Sequence, residues 1–471
     1  MIPSVVAGTL ARSVEDFLRA TFPVSTPAMA GLLDGLFDPG GMFKGPYLSI
    51  NLPHRLAEGG EEPFPEVPLG YSPYRHQQAA FKRLGGPVPR STIVATGTGS
   101  GKTECFLLPI LDYCRRQRAL GENGIKAILI YPMNALATDQ AKRIARRAHD
   151  TPSLRGKITA GLYVGDSERE PHAVMSRDSV LTDREAIRDS PPDILLTNYK
   201  MLDYLLIRPR DRRLWRNNAP DTLRFVVVDE LHSFDGAQGT DLACLLRRLK
   251  ARLGVPEKHL AYVGTSATLG TAESRDDLCA YAQRIFGEEF DSDSVIGEQR
   301  QTVGEFLEDV FTSALGVPGP AQELRAQAHT GLESYLRAQH RLWFGSDIPA
   351  DFDDPAWRLA LAEQWVKPLP FFQNLLKVLG GRARGMDAIL AELSRRTPLP
   401  SSIPEHPSYH ADLVNSIAAL ASAARLPPLP GGEEKTRPFL DVRVQLWVRE
   451  LRRMVAGWPN TAFTLLRRSQ R

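Results

Sequence analysis

The chain has 471 residues, of which 42% are hydrophobic, 24% charged and 8% aromatic, a globular balance that excludes a disordered or fibrous protein. Its 58 basic and 55 acidic residues leave a formal charge of only +3, so any contact with a polyanion has to come from local motifs rather than bulk charge. There is no run of about 18 uncharged apolar residues, and Arg12, Glu15, Asp16 and Arg19 fall where a signal peptide would be apolar, so no membrane partner is expected.

Four cysteines, Cys105, Cys114, Cys244 and Cys279, form no CxxC pair and read as buried reduced thiols of a cytoplasmic chain. Residues 1–70 combine a short helical pattern near Val14 to Ala20 with Pro- and Gly-rich stretches, an irregular lead-in. From Tyr71 to about Phe290, short apolar runs alternate with helical segments: Ser91 to Ala95, Ala127 to Tyr131, Ile158 to Val164, Ile194 to Thr197, Phe225 to Val228 and Tyr262 to Thr265. Strands that are apolar throughout suit a parallel sheet covered on both faces by crossover helices, so residues 71–290 are expected to form a doubly wound α/β domain. Residues 291–426 read as a mainly helical region, with helices over Thr302 to Leu315, Leu324 to Phe344 and Trp357 to Trp365. Residues 427–471 read as a linker and a terminal basic amphipathic helix, in which Val444, Trp447, Val448, Leu451 and Val455 share one face.

The run Thr96, Gly97, Thr98, Gly99, Ser100, Gly101, Lys102, Thr103 leads from a strand through a Gly-rich turn into a helix. Glycines let backbone N–H groups close around phosphates, Lys102 can reach their oxygens, and the Thr103 hydroxyl can hold Mg²⁺. The strict spacing would place Gly at position 96, where this chain has Thr. Downstream, the strand Phe225 to Val228 delivers Asp229 and Glu230 to its carboxyl end, where α/β sheets bind ligands. Asp229 is suited to hold the metal and Glu230 to activate a water for attack on a terminal phosphate.

Thr96 to Thr103, Asp229-Glu230-Leu231-His232 and Ser266-Ala267-Thr268 together resemble motifs I, II and III of superfamily-two helicases of the DEAD/DEAH-box kind. The resemblance implies a RecA-like P-loop fold with ATP and Mg²⁺ as cofactors. Tyr74-Arg75-His76-Gln77 resembles the family's Q-type element, which implies that Gln77 reads the adenine edge. Tyr131-Pro132-Met133-Asn134-Ala135-Leu136-Ala137 and Leu196-Thr197-Asn198-Tyr199 resemble motifs Ia and Ib, which implies nucleic-acid contacts by Pro132, Asn134, Thr197 and Asn198. His232, Ser266 and Thr268 are implied to couple hydrolysis to movement. The wording of these segments is similar to the long bacterial helicases of anti-phage defence islands, of the Druantia and DISARM kind, and DNA is the expected strand in preference to RNA.

Two basic clusters follow the strand-gripping segments: Lys142, Arg143, Arg146 and Arg147, then Arg208, Arg210, Arg212, Arg213 and Arg216. Each is either a phosphate-binding surface or a solvated helix face. Motifs IV to VI of a second lobe are not recognisable, so the chain reads as an amino-terminal motor lobe with slow turnover alone, completed by a second lobe or another subunit. The alternative is a catalytically weak ATP-binding regulatory or nucleic-acid-binding module completed by another polypeptide.

Overall fold

The structure, a computed structural model, describes residues 1–21, 34–37, 42–59, 62–97, 99–165, 171–266, 273–319, 322–397, 408–431, 435–448, 451–456 and 463–467. The chain divides into two compact units, His54–Gln299 and Met1–Pro53 with Arg300–Arg471.

The unit His54–Gln299 is built on seven parallel strands: β1 Thr92–Ala95, β2 Ala127–Tyr131, β3 Ala160–Tyr163, β4 Ile194–Asn198, β5 Phe225–Val228, β6 Ala261–Ser266 and β7 Val295–Gly297. Their spatial order is 3-4-2-5-6-1-7, with the six apolar runs of the sequence supplying six of the seven. Side-chain alternation divides each strand between two cores. Ile128, Ile130, Val226, Val228 and Tyr262 enter one, while Ala127, Leu129, Phe225, Val227, Ala261 and Val263 enter the other. Covering both faces are α1 Arg75–Leu84, α2 Lys102–Ala119, α3 Asn134–Asp150, α4 Arg184–Asp189, α5 Tyr199–Ile207, α6 Gly236–Leu253 and α7 Glu273–Phe286. The strand β7 lies past Phe290, where the sequence signal fades, because three residues suffice to pair alongside β1.

In the other unit, the lead-in is more regular than expected: it holds a 19-residue helix, Pro3–Thr21, and the strand Phe43–Asn51. That strand pairs antiparallel with Asp441–Val448. Residues 441–448 are therefore a strand where the apolar spacing predicts a helix, and 451–456 form a second strand that pairs antiparallel with Phe463–Arg467. Val442 and Val444 also fit a period of two, and pairing with a long strand decides between the two periods. Leu332–Phe344, Pro370–Leu379, Met386–Arg396 and Tyr409–Ala423 are helices in this stretch. The expected helix over Thr302 to Leu315 shortens to Val303–Phe306, and Asp309 soon after it takes a left-handed φ of 62°. Of the cysteines, Cys105, Cys114 and Cys279 are buried, but Cys244 is exposed, contrary to the expectation that all four are packed inside.

At the amino-terminal edge of the sheet, Asp193 is fully buried and compensated on all sides. It accepts from Lys126 Nζ at 2.8 Å, Arg118 Nε at 2.7 Å and the Thr159 backbone N–H at 2.8 Å. Asp193→Ala leaves the Lys126 ammonium buried without its counter-charge and is expected to cost about 3–5 kcal/mol in urea denaturation. A loss below about 1 kcal/mol would contradict this reading.

Candidate functional site

Parallel pairing brings the loops after β1, β2, β4, β5 and β6 to the same carboxyl edge of the sheet. Because β6 lies between β1 and β5, the end of β6 separates the glycine-rich loop from the Asp229-Glu230 turn. The loop from Thr96 to Gly101 needs two left-handed residues, Gly99 at φ 82° and Gly101 at φ 76°, before α2 starts at Lys102. Ser100 donates its hydroxyl to Thr96 Oγ1 at 2.8 Å, with both side chains buried, and its N–H bonds the Gly97 carbonyl at 3.3 Å. Thr at position 96 is therefore built into the loop by a hydrogen bond that glycine could not make. Thr103 follows, half-buried, in the first turn of α2. Thr98 lies outside the described residues.

Lys102 Nζ approaches Glu230 Oε1 at 3.6 Å, joining the glycine-rich loop to the acidic turn. Glu230 sits at φ 49°, a left-handed conformation that costs a non-glycine residue about 1–2 kcal/mol. Thr265 stabilises this turn: its Oγ1 accepts from the Glu230 backbone N–H at 3.0 Å and donates to Asp229 Oδ1. Glu230 Oε2 also meets His232 Nδ1 at 3.4 Å, and Ser266 Oγ reaches the same nitrogen only at 3.5 Å. The loop after β6 is thus tied to the acidic turn chiefly by Thr265. Thr268 is outside the described residues.

Thr265 lies just before the Ser266-Ala267-Thr268 segment, and strand alternation carries the signal for its place beside the acidic turn. Ala261 and Val263 face the same core as Phe225 and Val227, and continuing both strands by two residues puts Thr265 beside Asp229.

Gln77 differs from its expected role. Its side chain is fully buried, with Oε1 accepting from the Tyr74 N–H at 3.0 Å and Nε2 donating to the Gly101 carbonyl at 3.2 Å and Tyr71 Oη at 3.3 Å. It caps α1 and braces the glycine-rich loop rather than presenting an amide to the surface.

At the segments after β2 and β4, Asn198 Nδ2 donates to Asn134 Oδ1 at 2.8 Å, joining the two elements expected to grip a strand. Thr197 is fully buried and spends its hydroxyl on the Tyr163 carbonyl at 2.7 Å, which withdraws its side chain from the surface. Pro132 is half-buried at the start of the same edge. Several of the clustered cations have internal work: Arg143 pairs with Glu104, Arg146 with Asp178 at 2.8 Å and Arg213 with Asp189 at 2.7 Å, while Arg208 stacks 4.1 Å over Tyr204. Lys142, Arg210 and Arg212 are exposed.

Burial holds the Asp229 carboxyl above the ordinary carboxylate range; the Thr265 hydroxyl and Lys102 oppose the shift, and the Glu230 charge adds to it. A raised pKa means that the folded state binds the proton more tightly. This contribution to stability is full below the usual aspartate value and is lost as pH rises through the raised one. Asp229→Asn removes the charge while keeping an oxygen for Thr265, so it is expected to melt higher than wild type at about pH 8, with the gap closing towards about pH 4. A variant that melts lower at the alkaline end would contradict this electrostatic account.

Residues 74–276 match the DEAD/DEAH box helicase family. The chain is 26% identical to Druantia protein DruE of Escherichia coli (strain UMEA 4076-1), across 58% of this chain and 19% of that protein. It is 32% identical to ATP-dependent helicase Lhr-Core of Methanothermobacter thermautotrophicus, across 39% of this chain and 20% of the relative. The matched part thus spans about a fifth of the length of these relatives. Among solved structures, the DUF1998 helicase MrfA bound to DNA and AMPPNP aligns with a TM-score of 0.41 and 16% identity, covering 81% of this chain and 60% of that one. From the glycine-rich loop to the strand carrying Thr265, the site lies inside the stretch, residues 74–276, that matches the DEAD/DEAH box helicase model.

Proposed function

We propose that the His54–Gln299 unit binds and hydrolyses Mg·ATP as the first motor lobe of a helicase or translocase acting on a nucleic-acid strand, DNA in preference to RNA. The observation that carries this reading is the 3.6 Å approach of Lys102 to Glu230 across the carboxyl edge, which places a cation, a candidate base and a backbone cradle together. The left-handed glycines leave the loop free of Cβ atoms on its tightest bends, as close approach of phosphates requires. Thr103 and Asp229 would hold the Mg²⁺, which neutralises phosphate charge when bound.

In this reading Lys102 exchanges its contact with Glu230 for the phosphate oxygens. Glu230 is then released to accept a proton from the attacking water as the water oxygen bonds to the γ-phosphorus and the β–γ bridging bond breaks. Thr265 holds the Glu230 backbone in place during the step. Asn134 and Asn198 face the strand at the neighbouring edge, with Lys142, Arg210 and Arg212 as phosphate contacts. His232 and Ser266 link the turn to whatever moves against it. The similarity to DruE supports a place in anti-phage defence. A completed motor needs an arginine at the γ-phosphate, an element worth about 10³–10⁵ in rate, and this chain alone turns over slowly without it.

Steady-state turnover and Mg·ATP binding, each with and without DNA and RNA, test this reading. Lys102→Ala is expected to lose Mg·ATP binding. Glu230→Gln is expected to keep binding within a few-fold while turnover falls about 10²-fold or more, the usual worth of a general base. DNA is expected to stimulate the wild type more than RNA does. Equal turnover by Glu230→Gln and wild type would refute the assigned base, and Mg·ATP binding by Lys102→Ala as tight as wild type would refute the site.

A further inference from the structure

The segment before the nucleotide loop contains a buried histidine that neither the helicase resemblance nor the chemistry above uses. His76, in the first turn of α1, is fully buried, and its Nε2 lies 2.9 Å from the Ser100 carbonyl oxygen. A carbonyl only accepts, so Nε2 carries the proton in this contact. The ring is held on several sides. Tyr74 stacks on it, with centroids 5.6 Å apart and planes 18° apart, and His54 packs against it at 5.2 Å. His54 in turn pairs with Glu298 at 3.5 Å, immediately after β7.

Peptide geometry gives this contact a consequence. The only cis peptide among the described residues is Gly45-Pro46, so the bond between Ser100 and Gly101 is trans. In a trans peptide the C=O and N–H point in opposite directions across one plane. Drawing the Ser100 oxygen towards His76 therefore turns the Gly101 N–H away from α1. Gln77 does the same one residue later: by taking the Gly101 oxygen at 3.2 Å it turns the Lys102 N–H away from α1. These are two consecutive donors of the loop that the nucleotide reading assigns to phosphate.

We propose that His76 is a positioning residue of the phosphate loop: its ring N–H fixes the plane of the Ser100–Gly101 peptide so that the Gly101 N–H is presented to a nucleoside polyphosphate. The proposal rests on the nucleotide reading above. It makes α1 a brace for the cradle, and it gives β7 a role through the chain of contacts from Glu298 to His54 to His76.

The test is equilibrium binding of Mg²⁺ with a non-hydrolysable ATP analogue to the full chain. His76→Phe keeps a ring for Tyr74 and His54 but has no donor. His76→Gln loses the ring but places an N–H close to where Nε2 stood. The expected result is about 3- to 10-fold weaker binding by His76→Phe, the worth of one neutral hydrogen bond, with His76→Gln within about twofold of wild type. Wild-type affinity in His76→Phe, or equal weakening in both variants, would overturn the proposal, the second outcome assigning His76 to packing. Failure of the wild type to bind is a separate outcome that refutes the nucleotide reading itself and this one with it. Should His76→Phe fail to fold, histidine-selective ¹⁵N NMR of the wild type decides the matter. An Nε2–H tautomer whose shift moves on adding the Mg²⁺ complex supports the proposal, and an Nδ1–H tautomer overturns it.

Discussion

Parallel pairing of β5 between β2 and β6, with β1 beyond β6, is the constraint on which the rest of the site depends. A parallel ladder forces every return through a crossover helix, so successive strands all end at one edge and deliver their loops there. Residues more than a hundred positions apart, such as Lys102 and Glu230, meet because their strands are separated only by β6. The register Val228 to Gly264 then sets Thr265 beside Asp229, and the absence of a side chain at Gly264 leaves room for Leu231, whose Cδ2 would lie 2.8 Å from a Cβ there.

The two edges of this sheet treat buried charge differently. At the amino-terminal edge, Asp193 is surrounded by Lys126, Arg118 and Thr159, an arrangement that serves stability. At the carboxyl edge, Asp229 is buried beside another carboxylate and held above its usual range, and Glu230 occupies a strained backbone conformation. Incompletely compensated charge at that edge is what the proposed metal and phosphate site requires. Around it, the loop is braced from behind by Gln77 and His76 and the acidic turn by Thr265, so in the proposed site the groups that would face the phosphates are held by groups behind them.

Much of this was legible in the sequence because apolar runs of four to six residues have few other uses in a doubly wound domain, and the glycine-rich loop and acidic pair each follow one. What was missed has physical causes. Val295–Gly297 is too short to announce itself as a strand. Between Val442 and Val448 the apolar residues satisfy helical and alternating periods alike, and only the partner strand Phe43–Asn51, almost four hundred residues away, decides between them. Gln77 and Thr197 were expected to face ligands and are instead buried braces, since a motif fixes which residue occurs but not which way a satisfied side chain turns. The contact of His54 with His76 depends on chain folding that no local pattern reports.

The central claim, that phosphates and magnesium are held between the loop at Gly99 to Thr103 and the turn at Asp229, is tested most directly by an experimental structure of the chain with Mg²⁺ and a non-hydrolysable ATP analogue. The account predicts phosphates against the Gly101 and Lys102 N–H groups, the metal beside Thr103 and Asp229, and Lys102 withdrawn from Glu230. A nucleotide bound elsewhere, or none bound at saturating concentration, would contradict it.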